Sequence, residues 1–313
     1  MNLIHYVPVE PKLDFLGKTK IFHVITLTLV LGSIALFLFK GLDYGVDFRG
    51  GTLLEIKTTQ APADIEDLRS TLNGLDLGDV TIQEFGAADV VLINLPRQDG
   101  GEEEQQAALA LAQQALEGEV DEYRRSETVG PKVGSELRLA GIVATLLSML
   151  GIMLYVWVRF DLVYGAAALA ALLHDVIVVV GFYALTGIEF NLATLAALLT
   201  VAGYSINDTV VVFDRVREEL RRFKKLPIPE VLNKAINATL SRTILTTTTT
   251  LLALFGLFFF GGEVIRGFSA GIIVGILVGT YSSWAVAVPL LTWARLRPVA
   301  PKGEKPEAVK PAV

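Results

Sequence analysis

The sequence predicts an α-helical polytopic membrane protein: six transmembrane helices, with one external α+β domain between helices 1 and 2. Three observations carry this. The 313 residues are 52% hydrophobic and only 19% charged, against about 25% charged in an ordinary soluble domain. Six apolar stretches each approach the ~20 residues that cross a bilayer. The net charge of −6 also hides a segregation: residues 41–137 hold 20 Asp and Glu against 7 Lys and Arg, a balance of −13 that leaves +7 for the rest.

A tail, 1–20, leads into the first span at 21–39. This span starts too late for a cleavable signal and meets Lys40 rather than a small-residue cleavage site. The other five spans are 139–158, 163–185, 192–213, 243–260 and 268–293, and a tail of residues 294–313 closes the chain. Six spans put both termini on one side, and Lys/Arg bias chooses that side. Lys12, Lys18 and Lys20 precede span one, Arg159 follows span two, and Arg215, Arg217, Arg221, Arg222, Lys224, Lys225 and Lys234 follow span four. Arg295, Arg297, Lys302, Lys305 and Lys310 occupy the last tail, whereas the loops 186–191 and 261–267 hold only Arg266. The positive-inside rule therefore predicts cytoplasmic termini and an external, periplasmic-side domain over 40–137. The basic loop 214–242, punctuated by Pro227 and Pro229, reads as a cytoplasmic connector lying along anionic membrane lipid, or as a docking surface for a partner.

Within the external domain, 53–58 alternates as a strand and 63–72 reads as a helix with Pro62 in its first turn. Residues 80–85 and 90–95 form two strands about a turn at Gly86, 102–116 is a helix with acids in its first turn, and 123–129 is a closing strand. The order βαββαβ is that of a ferredoxin-like module, which by itself decides no function.

Composition excludes several chemistries. There is no cysteine, so disulfide frameworks, thiolate nucleophiles and cysteine-ligated metals are out, and His5, His23 and His174 are too scattered to share a metal. No P-loop, dinucleotide loop or HExxH occurs, so no cofactor, metal or enzymatic activity is expected, and any work draws on an ion gradient. The acidic domain argues against nucleic-acid binding. Ionisable residues inside a span cost roughly 2.5–3.5 kcal/mol on insertion scales and are functional candidates by default. Asp175 lies near the middle of span three beside His174, where a hydrogen-bonded packing pair is the alternative to a functional role. Asp208 lies in the inner half of span four beside Asn207. Arg242 opens span five at a comparable depth, and Thr246 with Thr249/Thr250 continue its helix face at i+4 and i+7/i+8. An arginine and a hydroxyl stripe facing a carboxylate would let it exchange a proton. A static ion pair or a snorkelling arginine would give the same sequence. Glu189 and Glu263 fall in outer loops and read as solvated. Gly267, Gly271, Gly275 and Gly279 form small-xxx-small steps for close helix packing.

The string Asp43-Tyr44-Gly45-Val46-Asp47-Phe48-Arg49-Gly50-Gly51-Thr52, just outside span one, resembles the opening motif of the SecD/SecF family of protein-export membrane subunits. His174-Asp175, the run 203–218 beginning Gly203-Tyr204-Ser205-Ile206-Asn207-Asp208, and the run 261–283 that starts Gly261-Gly262 and ends Tyr281-Ser282-Ser283 match the same family. Together they cover nearly the whole chain in order, the two tails excepted. The resemblance implies a six-span half of the resistance–nodulation–division (RND) architecture in the bacterial cytoplasmic membrane. It implies SecD as the other half, and the SecYEG channel, SecA and a translocating preprotein as partners. It also implies use of the proton-motive force for export, with Asp208 and Arg242 in the proton pathway, joined by Asp175 at a further position that matches the family. Two rival readings stay open: a proton-coupled solute antiporter half, and a non-conducting assembly subunit.

Overall fold

The computed structural model describes residues 11–293, with the backbone alone at residues 131, 132, 263 and 264. The tail 294–313, residues 1–10 with His5, and the side chain of Glu263 lie outside the described residues. A 3-10 turn, Leu16–Lys18, leads into α1 (Thr19–Phe39), and one helical turn, α2 (Val46–Arg49), ends the passage out of the membrane. Next come β1 (Gly51–Thr58), α3 (Ile65–Asn73), β2 (Thr81–Phe85), β3 (Ala87–Pro96), α4 (Glu102–Ala115) and β4 (Val120–Val129). The remaining spans are α5 (Pro131–Arg159), α6 (Leu162–Thr186), α7 (Leu192–Arg222), α8 (Ile228–Phe260) and α9 (Gly262–Ser282). The last span continues through a π-helical turn, Ser283–Ala287, into α10 (Val288–Trp293). Among the described residues, six helices are long and apolar enough to cross a membrane.

The small domain is the expected βαββαβ module. Its sheet order is β2-β3-β1-β4 with every neighbouring pair antiparallel. Alternation sorts the faces: Leu54, Ile56, Val91, Ile93 and Leu95 point to α3 and α4 and meet Leu68, Leu72, Ala108 and Ala112 in one buried cluster. Leu53 and Leu92 point the other way, toward Val46. The first helix begins later than its apolar pattern suggested. Asp64 caps it by accepting from the N–H groups of Glu66 and Asp67, so Pro62 lies before the helix rather than in its first turn.

In the bundle, α6 and the α9 span are the most buried and α1 the least. The glycine stripe of α9 explains how close the centre packs. A Cβ on Gly271 would meet Tyr183 of α6, one on Gly275 would run into Val201 of α7, and one on Gly279 would lie 2.9 Å from Ser205.

The basic segment expected as a connector over 214–242 is instead mostly helix. Span four simply runs on to Arg222, held by the Arg215–Glu218 and Arg215–Glu219 pairs at i+3 and i+4, and α8 starts at Ile228. Only residues 223–227 turn the chain. The side-chain amides of Asn233 and Asn237 reach from α8 to the backbone of Leu13 and Phe15 and lash the leading segment to this end of the bundle.

Candidate functional site: a clamp at the domain end and two carboxylates in the bundle

The motif 43–51 forms a clamp between the domain and the bundle. Gly45 N–H donates to Phe190 O, and Phe190 N–H donates to Asp43 O, so the strand-like passage out of α1 is stitched to the α6–α7 loop. Asp47 Oδ2 accepts from Leu192 N–H at 2.9 Å, adding an acceptor at the N-terminus of α7. Asn191 and Thr194 complete a capping box there. Phe48 is buried among Phe190, Tyr183 and the outer ends of α6 and α7. The paired glycines are needed for two reasons. Gly50 and Gly51 take φ of 75° and 126°, and a Cβ on Gly51 would collide with Leu95 O. Gly134 of α5 lets that helix pass against Gly50, where a Cβ would come within 3.0 Å of its N.

Glu189, expected to be merely solvated, leans on this clamp. A Cβ on Gly45 would collide with its Oε1. Burial pushes its carboxyl above the usual range, helped by the carboxylates of Asp43 and Asp47, while Arg125 and Arg49 oppose the shift. This burial is not written in the local sequence, because it comes from β4 and the opening motif folding over the five-residue α6–α7 loop.

Inside the bundle the two candidate carboxylates differ sharply. Asp175 is fully buried and saturated: Oδ1 meets His174 Nδ1 at 2.8 Å, and Oδ2 accepts from Ser205 Oγ and from Ser282 Oγ, the latter at 2.8 Å. One carboxylate thus fastens α6, α7 and the end of α9, immediately before the π-helical turn. Both serines lie in the family-matching runs, but nothing in the sequence pairs them with Asp175, since serine in an apolar span ordinarily bonds its own backbone.

Asp208 is also buried, at 5% exposure, but its Oδ2 has no hydrogen-bond partner among the described residues. Arg242 on α8 acts on it electrostatically, yet no ion pair joins them among the described residues. A carboxylate in this state can gain or lose a proton at Oδ2 without breaking a hydrogen bond there. Asn207 beside it faces outward from the bundle.

The hydroxyl stripe is offset from the expected one. Thr246 bonds back to the carbonyls of Arg242 and Thr243, and Thr249 to those of Leu245 and Thr246, so neither turns toward Asp208. The threonines that α8 buries are Thr239, Thr243 and Thr247, and Thr247 Oγ1 pairs with Thr280 Oγ1 at 2.9 Å. Thr250 keeps one outside contact, accepting from the Tyr204 hydroxyl at 3.3 Å. Among the described residues no group of three or more His, Asp or Glu could hold a metal ion.

Comparison with known proteins fits this arrangement. The family "Protein export membrane protein SecD/SecF, C-terminal" matches residues 111–297, and the "SecD/SecF GG Motif" matches residues 35–62, which include the clamp. The chain is 44% identical over 290 residues to "Protein translocase subunit SecF" of Calditerrivibrio nitroreducens, covering 90% of this chain and 94% of that one. It is 42% identical over 292 residues to the subunit of the same name from Rickettsia rickettsii, covering 92% and 94%. The crystal structure of SecDF, a translocon-associated membrane protein from Thermus thermophilus, superimposes with a TM-score of 0.83 at 38% identity, over 93% of this chain and 40% of that one. The architecture is therefore RND-like, and the chain belongs to the SecD/SecF family of protein-export membrane proteins.

Proposed function

We propose that this chain is the SecF-type half of a proton-driven auxiliary complex of the Sec translocase, in the bacterial cytoplasmic membrane with both termini cytoplasmic. Acting with a SecD-type half beside the SecYEG channel and SecA, it promotes preprotein export. The observation that carries this reading is Asp208: a buried carboxylate inside a span, one oxygen unbonded, with Arg242 close enough to act on it but not locked to it. Protonation changes the charge of that group, and the charge change alters what α7 and α8 gain from lying side by side. The clamp supplies the mechanical link, since α7 begins on Asp47 and α5 passes Gly50.

A second half is supported by the face that α7 leaves uncovered. Ala196, Thr200, Gly203 and Asn207 are exposed along one stripe of an apolar span, and small and polar residues in such a position suit another helix better than lipid. Asp175 and His174 then hold the helices in register, Asn207 lies on the face offered to the second half, and Asp208 and Arg242 handle the proton.

The test is preprotein export into vesicles carrying the SecD-type partner, with and without a proton gradient, using wild type and Asp208→Asn. The proposal expects the gradient-dependent part of export to vanish in a complex that still assembles. Undiminished gradient-dependent export would make Asp208 structural and this chain a non-conducting assembly subunit.

A further inference from the structure

At the end of the bundle opposite the small domain, the leading segment 11–15 and the adjoining ends of α7 and α8 enclose a cavity of about 440 Å³, within the size range of small-ligand sites. Its lining carries four basic side chains, Lys12, Arg215, Arg222 and Lys234, and two acidic ones, Asp14 and Glu219, a surplus of two positive charges. The acids are committed. Glu219 is paired with Arg215 at 2.7 Å, and Asp14 Oδ1 accepts from Gly17 N–H at 2.8 Å. Lys12, Arg222 and Lys234 have no acidic partner among the described residues. Arg222 and Lys234 both lie over the Phe223 ring, 5.2 and 5.1 Å from its centroid, which gathers the two cations at one wall. The opposite wall is fixed by the Asn233 and Asn237 amides that hold the segment 11–15.

An anion suits this lining, and the surroundings say which kind. Leu13, next to Lys12, is 51% exposed, and Ile21 and Val24 on the neighbouring face of α1 are 58% and 65% exposed, the start of a span surface made for lipid. Lys234 lies two helical turns before Arg242, where the apolar run of α8 begins. The cavity thus lies about 12 Å along the helix axis from the run's start, on its polar side. A ligand with a negative head and two apolar chains satisfies both halves; a soluble anion satisfies one.

We propose that this cavity binds the phosphate headgroup of an anionic phospholipid, whose chains lie along the exposed face of α1. The lipid would add a tie between the leading segment, α7 and α8, beside the two asparagines and the buried Phe15 that already join them.

The test uses the purified full-length chain in detergent and native mass spectrometry, with dioctanoyl phosphatidylglycerol and dioctanoyl phosphatidylcholine as probes. One phosphatidylglycerol should be retained in preference to phosphatidylcholine. Arg222→Gln with Lys234→Gln should weaken it on the order of 30-fold, each basic group near an anionic headgroup contributing about a factor of five. The control Lys20→Gln with Lys225→Gln, two exposed basic residues off the cavity, should change it less than threefold. Lys12→Gln alone, whose side chain is exposed and makes no contact that folding needs, should weaken it about fivefold. Equal retention of both lipids, or equal loss in the cavity and control variants, overturns the proposal. So does displacement of the lipid by equimolar glycerol 3-phosphate, which would mark a site for soluble anions.

Discussion

Asp47, in the single helical turn that leads into the small domain, accepts a hydrogen bond from the backbone N–H of Leu192, the first residue of span four, across 145 positions of sequence. The same helix end is capped from within by Asn191. Two acceptors therefore serve the orphan N–H groups of one helix, and one of them belongs to the domain. The start of α7 and the root of the domain are held by a shared bond.

Asp47→Ala should lower stability by about 1 kcal/mol, the usual worth of a capping acceptor. It should also make residues 40–50 more susceptible to protease, read as the initial cleavage rate in detergent. Asp47→Asn keeps an acceptor and should lie close to wild type. Equal behaviour of the two variants would show that the bond contributes nothing.

The two intramembrane carboxylates should separate in opposite ways. Asp175→Ala strands His174, Ser205 and Ser282 in a buried setting, and stranded polar groups cost about 1–3 kcal/mol each. It should unfold or be lost at extraction, measured as monodisperse yield and thermal midpoint. Asp208→Asn removes a group that satisfies no partner, and it should keep the wild-type midpoint within about 1 °C, a surface-like effect, while losing gradient-dependent export.

Gly275→Ala should destabilise by roughly 1–3 kcal/mol, the cost of overpacking, because its Cβ would press into Val201. Gly256→Ala, where a Cβ meets nothing within 4 Å, should be neutral or stabilising by up to about 1 kcal/mol. Thermal unfolding of the pair checks whether close α7–α9 contact is what the stripe supplies.

Glu189 sets a pH dependence whose sign is fixed by its raised carboxyl. The folded state holds that proton more tightly than the unfolded chain, whose ordinary value is 4.5. The contribution is thus fully present below that value and is lost as pH rises through the higher folded one. Glu189→Gln should raise the thermal midpoint at pH 7.5 by about 1–2 °C and flatten its change between pH 4.5 and 7.5. An unchanged pH profile would place the titration elsewhere.

The bundle and the domain were legible because both are written in hydrophobic period: runs of twenty for the spans, alternation for β1 and β3. Asp208 was legible because a charge in such a run stands out. The phase of α8 was not. Thr246 through Thr250 is a continuous hydroxyl run, and a run with no apolar interruption cannot say which threonine faces inward, so the stripe was placed one position off from Thr243 and Thr247. The extension of α7 was hidden for another reason. Past Phe213 the helix is held by Arg215 with Glu218 and Glu219 rather than by apolar burial alone, and charge-rich helix resembles charge-rich loop. The bonds of Ser205 and Ser282 to Asp175 were hidden because that partner is 30 and 107 residues away.

Between β4 and α5 stands one residue, Gly130. A strand of ten residues, about 33 Å long, is joined to a membrane helix by two rotatable bonds, while Gly50 is wedged against Gly134 on the first turn of the same helix. Strand and helix form a crank rather than a tether. If span two leans by about 10°, the far end of β4 sweeps about 6 Å with it, so the bonds from Gly45 and Asp47 to Phe190 and Leu192 set how far the acidic domain can swing.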